Sequence, residues 1–184
     1  IRTYKEKVEQ ELHHVCNQMI SLLDEALIPT ADSVQCSVFY WKMKGDYLRY
    51  MAEYTAPDSQ QHSQVVEVSQ QAYEKATELA SSLPATNIVR LGLALNFSVF
   101  YYEIKGMPQE ASRIAHDSYN QASMELKNEQ FENASYKDIT IILQLFQDNL
   151  TLWHGENNIM DNDAAGLIAE GEEDEDEEEA SDEE

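Results

Sequence analysis

Positive charge is scarce in this sequence: 12 lysines and arginines face 35 aspartates and glutamates, for a net charge of −23. That balance argues against nucleic acid or an anionic membrane as the main partner, because both attract basic surfaces. Cysteine is nearly absent. Cys16 and Cys36 stand alone, without metal-ligand or redox spacing, which excludes a disulfide framework and fits reduced thiols in a cytosolic protein. No apolar run approaches the roughly 18 residues of a membrane span, and nothing has the layout of a secretory leader. Asn-x-Ser/Thr occurs at Asn96, Asn133 and Asn149, but two of these lie in helical stretches of an apparently intracellular chain, so no glycosylation is expected. Proline is also rare, with four in 184 residues.

What is present is unevenly placed. Twelve acidic residues and no basic ones fall between Glu170 and Glu184, leaving −11 for the first 169 residues. Such a run repels itself and has nothing to bury. The expected division is a helical body over 1–155 and a disordered acidic tail over 156–184. At the other end, Ile1 opens directly in helical periodicity, with neither an initiator methionine nor a cap, which reads as the interior of a longer protein.

Six proline-free stretches rich in Ala, Leu, Glu, Gln and Lys are separated by breakers. The first is predicted to end near Leu27, before Pro29. The second follows Thr30, Asp32 and Ser33 and runs to about Tyr54. The third follows Pro57 and Asp58 and ends near Leu83. The fourth spans about Asn87 to Lys105 and stops at Gly106. The fifth opens on Pro108, a favourable first-turn proline, and ends near Lys127. The sixth opens on a Ser135–Asp138 capping box and reaches about His154. Short connectors make successive helices antiparallel, so the second, fourth and sixth run parallel to one another.

Those three helices each show more than one busy face at about 100° per residue. In the sixth, Ile139, Leu143, Phe146, Leu150 and Trp153 make a core stripe, while Ile141, Ile142, Leu145, Asn149 and Leu152 make a second one opposite. In the fourth, Gly92, Asn96, Val99 and Glu103 share a line with Leu95 beside it. That line is either a solvated edge with a packing glycine or a place where the Asn96 amide meets a ligand backbone. In the second, Lys42, Asp46, Arg49 and Glu53 share a line flanked by Tyr50. The plain reading is a solvated face with i,i+4 ion pairs. The functional reading is one wall of an amphipathic trough, with an arginine fork and a tyrosine hydroxyl that capture an anion.

Longer stretches carry a resemblance. VFYWKMKGDYLRYMAEY from Val38 to Tyr54, RLGLALNFSVFYYEI from Arg90 to Ile104, and SYKDITIILQLFQDNLTLW from Ser135 to Trp153 closely resemble segments of the 14-3-3 family. The opening YKEKVEQELHHVCNQMISLLD is similar to that family's fourth helix. The resemblance covers about residues 1–155 and implies an all-α antiparallel helical array, with the family's fourth to ninth helices present of the usual nine. It also implies a phosphoserine- or phosphothreonine-peptide-binding adaptor in signalling that works without a cofactor, in the cytoplasm and the nucleus, with phosphorylated client proteins as partners. By resemblance, Arg49 and Tyr50 contact phosphate, Asp46 positions the cations and Lys42 stands at the pocket edge. Asn96 and Asn149 bond the ligand backbone. Leu95, Val99, Ile142, Leu145 and Leu152 form an apolar wall, and Glu103 and Trp153 grip the backbone near the phosphoresidue.

The resemblance also has gaps. The family's phosphate pocket draws a lysine and a second arginine from its third helix, which has no counterpart here, so weakened phosphate capture is expected. The family's homo- or heterodimer pairs its first helix with the third and fourth of the partner. Of these positions only Tyr4, Lys7 and Glu11, on the fourth helix, match, so the normal dimer is expected of the full-length family member rather than of this chain alone. Leu48 stands where a tyrosine is common.

Other readings are weaker. His13 and His14 are adjacent and point about 100° apart, which is wrong for a shared metal. No phosphate loop, Ser-His-Asp order or nucleophilic cysteine context occurs, so an enzyme is not expected. Asp161, Asp163, Gly166, Ile168 and Glu172 fit a Ca²⁺-loop pattern, but Ala165 occupies an oxygen-ligand position and the stretch reads as an acidic linker. A helical scaffold that binds partners without phosphate is the alternative function.

Overall fold

The computed structural model describes the backbone of residues 2–128 and 133–170 and the side chains of 4–127 and 136–155. Among the described residues there are six helices and no strand. They are α1 (Arg2–Leu22), α2 (Val34–Tyr54), α3 (Gln60–Ala80), α4 (Ile88–Val99), α5 (Pro108–Asn128) and α6 (Asn133–Glu170). No described helix is long and apolar enough to cross a membrane. The acidic run from residue 171 onward, and the side chains of the candidate Ca²⁺ loop, lie outside the described residues.

Small polar side chains start the helices. Ser33 caps α2 by accepting from the Cys36 amide at 3.2 Å, and Ser59 caps α3 by accepting from His62 at 3.1 Å. The Asn87 side-chain oxygen takes both the Val89 and Arg90 amides of α4. Each such cap is worth about 1 kcal/mol. The Ser135–Asp138 pattern does not open α6, which already begins at Asn133. That helix also continues past His154 to Glu170, through a proline-free stretch containing Ala164, Ala165, Leu167 and Ala169.

Two helix ends depart from the sequence-based expectation. α1 and α4 each finish in a wider π turn, over Leu23–Leu27 and Phe100–Ile104. Five-residue bonds close both turns, from the Ile28 amide to the Leu23 carbonyl at 2.9 Å and from Lys105 to Phe100 at 3.2 Å. Gly106 then reverses the chain at φ +61°, and the Met107 amide reaches back to the Tyr101 carbonyl at 2.9 Å. That left-handed residue is where a side chain would be strained.

The chain divides into two units, Ile1–Phe146 and Gln147–Glu184. In the first, Val38 clusters with Ala76 and Ala80, whereas Leu48 and Met51 cluster with Val65, so α2 and α3 run antiparallel. The main cluster also takes Tyr73, Leu93, Phe97 and Phe100, and the second takes Cys16 from α1. Full burial of a residue such as Phe100 contributes about 1.5–3 kcal/mol. The expected α6 core stripe is buried at Ile139, Leu143 and Phe146, while Ile141 and Leu145 opposite are exposed. In the second unit, Leu150 and Trp153 are buried and Leu152 is exposed.

Candidate functional site

The line Lys42, Asp46, Arg49 and Glu53 on α2 does form the i,i+4 ion pairs its spacing allows. Lys42 Nζ donates to Asp46 Oδ2 at 2.7 Å, and Arg49 Nη1 donates to Glu53 Oε1 at 2.7 Å. The expectation of a solvated face fails, however, because Asp46 and Arg49 are buried. The reason is what the neighbouring helices place against them.

Gly45 lets α3 approach closely. A Cβ there would lie 2.8 Å from the Tyr73 ring, and Ser69 Oγ donates to the Gly45 carbonyl at 2.9 Å. This contact brings the Tyr73 hydroxyl within 2.6 Å of Asp46 Oδ1. From the other side, Asn96 Nδ2 on α4 donates to the same oxygen at 2.8 Å. Gly92, one turn earlier on α4, faces the Lys42 stem, and a Cβ there would make only ordinary contact, 3.8 Å from Lys42 Cε. Asp46 therefore accepts from three helices' worth of donors: Lys42 on its own, Tyr73 on α3 and Asn96 on α4.

Arg49 lies beside this hub. Its side chain is 10% exposed, its partner Glu53 is 45% exposed, and its Cζ stands 4.5 Å from the Tyr50 ring. Nε is buried and has no acceptor among the described residues. Burial alone would lower the guanidinium pKa, but the neighbouring Tyr73, Tyr50 and Glu53 outweigh it and the net shift is upward. Burial, followed by the Asp46 carboxylate, pushes the Tyr73 hydroxyl far above its ordinary range, against the pull of Arg49. Tyr73 is thus a fixed O–H donor. Sequence reasoning missed it, because at its place on the α3 apolar stripe it reads as core.

Lys42, Asp46, Arg49, Tyr50 and Asn96 are brought together. Leu95 and Val99 lie half-buried along the same stretch of α4, with Glu103 exposed beyond them. On α6, Ile142 is half-buried and Leu145 exposed. Asn149, Leu152 and Trp153 belong to the second unit. Tyr4, Lys7 and Glu11 lie exposed along α1, with Lys7 and Glu11 paired at 3.9 Å. Both cysteines are unpaired thiols, and burial pushes that of Cys16 up. No group of His, Cys, Asp and Glu among the described residues could hold a metal.

The family model that matches, over residues 1–154, is that of the 14-3-3 protein. The chain is 47% identical over 167 residues to a 14-3-3-like protein, GF14 iota, of Arabidopsis thaliana, which covers 86% of this chain and 61% of that protein. It is 49% identical over 157 residues to 14-3-3 protein beta/alpha of Xenopus tropicalis, covering 85% and 63%. It is also 49% identical over 154 residues to 14-3-3 protein 7 of Solanum lycopersicum, covering 83% and 60%. The chain thus spans somewhat over half the length of these relatives.

Proposed function

The chain belongs to the 14-3-3 family, and from that membership we propose that it is a phosphoserine- or phosphothreonine-peptide-binding adaptor rather than an enzyme. Its fold is the all-α antiparallel array of that family. Arg49 and Tyr50 take the phosphate, with Lys42 at the edge and Asp46 holding the cations in place. Asn96 meets the peptide backbone beside Leu95, Val99 and Glu103. As the resemblance has it, Ile142, Leu145 and Leu152 supply apolar contact, Asn149 bonds the peptide backbone, and Glu103 and Trp153 grip it near the phosphoresidue. Residues 1–155 form the binding body and 156–184 an acidic tail. Partners are phosphorylated signalling proteins in the cytoplasm and nucleus, and Tyr4, Lys7 and Glu11 would serve the homo- or heterodimer of a full-length family member.

The observation that carries this reading is the state of Arg49. It is charged, buried, and has an uncommitted Nε, and its Nη1 bond goes to a half-exposed Glu53 that can swing away. A phosphate in place of Glu53 would meet a planar fork offering two charge-assisted bonds. Lys42 and Arg49 are each balanced by a carboxylate, Asp46 and Glu53, so the cluster carries no net positive charge and this chain alone binds weakly.

Titration of a phosphoserine peptide and its unphosphorylated twin against the chain tests the reading. The two charge-assisted bonds of the Arg49 fork predict a preference of about a hundred-fold for the phosphorylated peptide. Equal affinity would overturn it and favour the phosphate-independent scaffold.

A further inference from the structure

Tyr73 has no freedom. Its ring is fully buried, stacked on Phe97 with centroids 5.2 Å apart and planes at 23°, and pressed against the α2 backbone at Gly45. Its hydroxyl is therefore a fixed point, and that point bonds the Asp46 oxygen shared with Asn96. A carboxylate can only accept, so the end of the Asn96 amide turned towards Asp46 must be its NH₂, which leaves the amide oxygen for a ligand N–H. Were Asp46 free to turn Oδ1 away from Asn96, that amide would lose its reason to face one way.

We propose that Tyr73 is a positioning residue of the ligand site: through Asp46 it holds the Asn96 amide in one orientation and keeps Lys42 at the pocket edge. It touches no ligand itself. The proposal rests on the reading of Asn96 as a peptide-binding group and names the side chain that makes it one. It also makes the three helices a single device, because a hydroxyl on α3 sets a carboxylate on α2, which sets an amide on α4.

Tyr73→Phe removes one oxygen and keeps the ring, so it isolates the effect. In the 184-residue chain, phosphoserine-peptide affinity is expected to fall about ten-fold, the size of one bond to a charged group. Asn96→Ala is expected to cost about as much in the parent chain but two-fold or less in the Tyr73→Phe background, since neighbours that act as a unit are non-additive. Without ligand, the Asn96 side-chain NH₂ resonances should shift in Tyr73→Phe and exchange faster with solvent. Additive losses with unmoved Asn96 resonances overturn the proposal, because a purely structural tyrosine would weaken binding without touching that amide. If Tyr73→Phe does not fold, Asp46→Asn, which keeps the side-chain shape, must move the same resonances, and their failure to move overturns it equally. Loss of the preference for phosphorylated over unphosphorylated peptide in the parent chain would sink the phosphate reading instead, while the Asn96 resonances still decide the role of Tyr73.

Discussion

Two arginines in this chain stand beside carboxylates on their own helices, and they share little else. On α5, Arg113 binds Glu110 on one side and Asp117 on the other, and 59% of its side chain is exposed. On α2, Arg49 binds Glu53 with 10% exposed, while Asp46, three residues earlier, is committed to Lys42, Tyr73 and Asn96. The Arg113 pairs are surface pairs, worth at most about 1 kcal/mol each. Arg49 has left water, and an unpaired buried N–H such as its Nε costs about 1–3 kcal/mol. Spacing decides which charges can pair. The neighbouring helices decide whether a pair stays in water or is drawn out of it.

Stability should separate the two regions most. Asp46→Ala leaves Lys42, Tyr73 and Asn96 without their acceptor and is expected to cost about 3–5 kcal/mol in urea unfolding. Asp117→Ala is expected to stay within about 0.5 kcal/mol; similar losses for both would erase the distinction. Binding comes next. Arg49→Ala should weaken a phosphoserine peptide about a hundred-fold by fluorescence anisotropy, whereas Arg113→Ala should leave it unchanged. Smaller still is the packing that builds the hub. Gly45→Ala is expected to cost about 1–3 kcal/mol, because its Cβ meets the rigid Tyr73 ring. Gly92→Ala, with only the flexible Lys42 stem nearby, should be neutral or stabilising by up to about 1 kcal/mol.

The smallest expected effects lie at the two ends of the pH scale. Hydrogen bonding from Arg113 holds the Glu110 carboxyl below its ordinary 4.5. A depressed folded value gives stability that is present above 4.5 and fades as pH falls through the folded value, so Arg113→Ala should flatten the acid limb slightly. Tyr73 is raised above its ordinary 10.0, which gives stability complete below pH 10 and lost as pH rises beyond it. Tyr73→Phe should flatten the alkaline limb and leave the acid one alone. Tyr54, pushed up to about 12 by burial and Cys16, adds to the alkaline loss between pH 10 and 12.

Much of this was legible in the sequence, for reasons that can be located. Helix limits followed from Pro29, Gly106 and the capping candidate Ser33, because capping and proline geometry are local, although α3 stops at Ala80, short of the expected Leu83. The α2 ion pairs and the two faces of α6 followed from periodicity. Periodicity could not say what lies opposite a face, so Asp46 and Arg49 read as solvated although Tyr73 and Asn96 cover them. Tyr73 itself was hidden by its ring, which earns its place in the core whether or not its hydroxyl does anything. The π turns at Leu23–Leu27 and Phe100–Ile104 carry no local signature of comparable strength.

The close approach at Gly45 has a bearing on the order in which the molecule assembles. Its bonds, Ser69 to Gly45 and Tyr73 to Asp46, span 24 and 27 residues, whereas Asn96 reaches Asp46 across 50. Closing the shorter loop sacrifices less chain entropy, so the α2–α3 hairpin is the expected nucleus and α4 docks onto it afterwards. Ser69→Ala should then slow folding, while Asn96→Ala should chiefly hasten unfolding. A chain that emerges from the ribosome in this order has Tyr73 seated against Asp46 before the Asn96 amide that shares the same oxygen arrives.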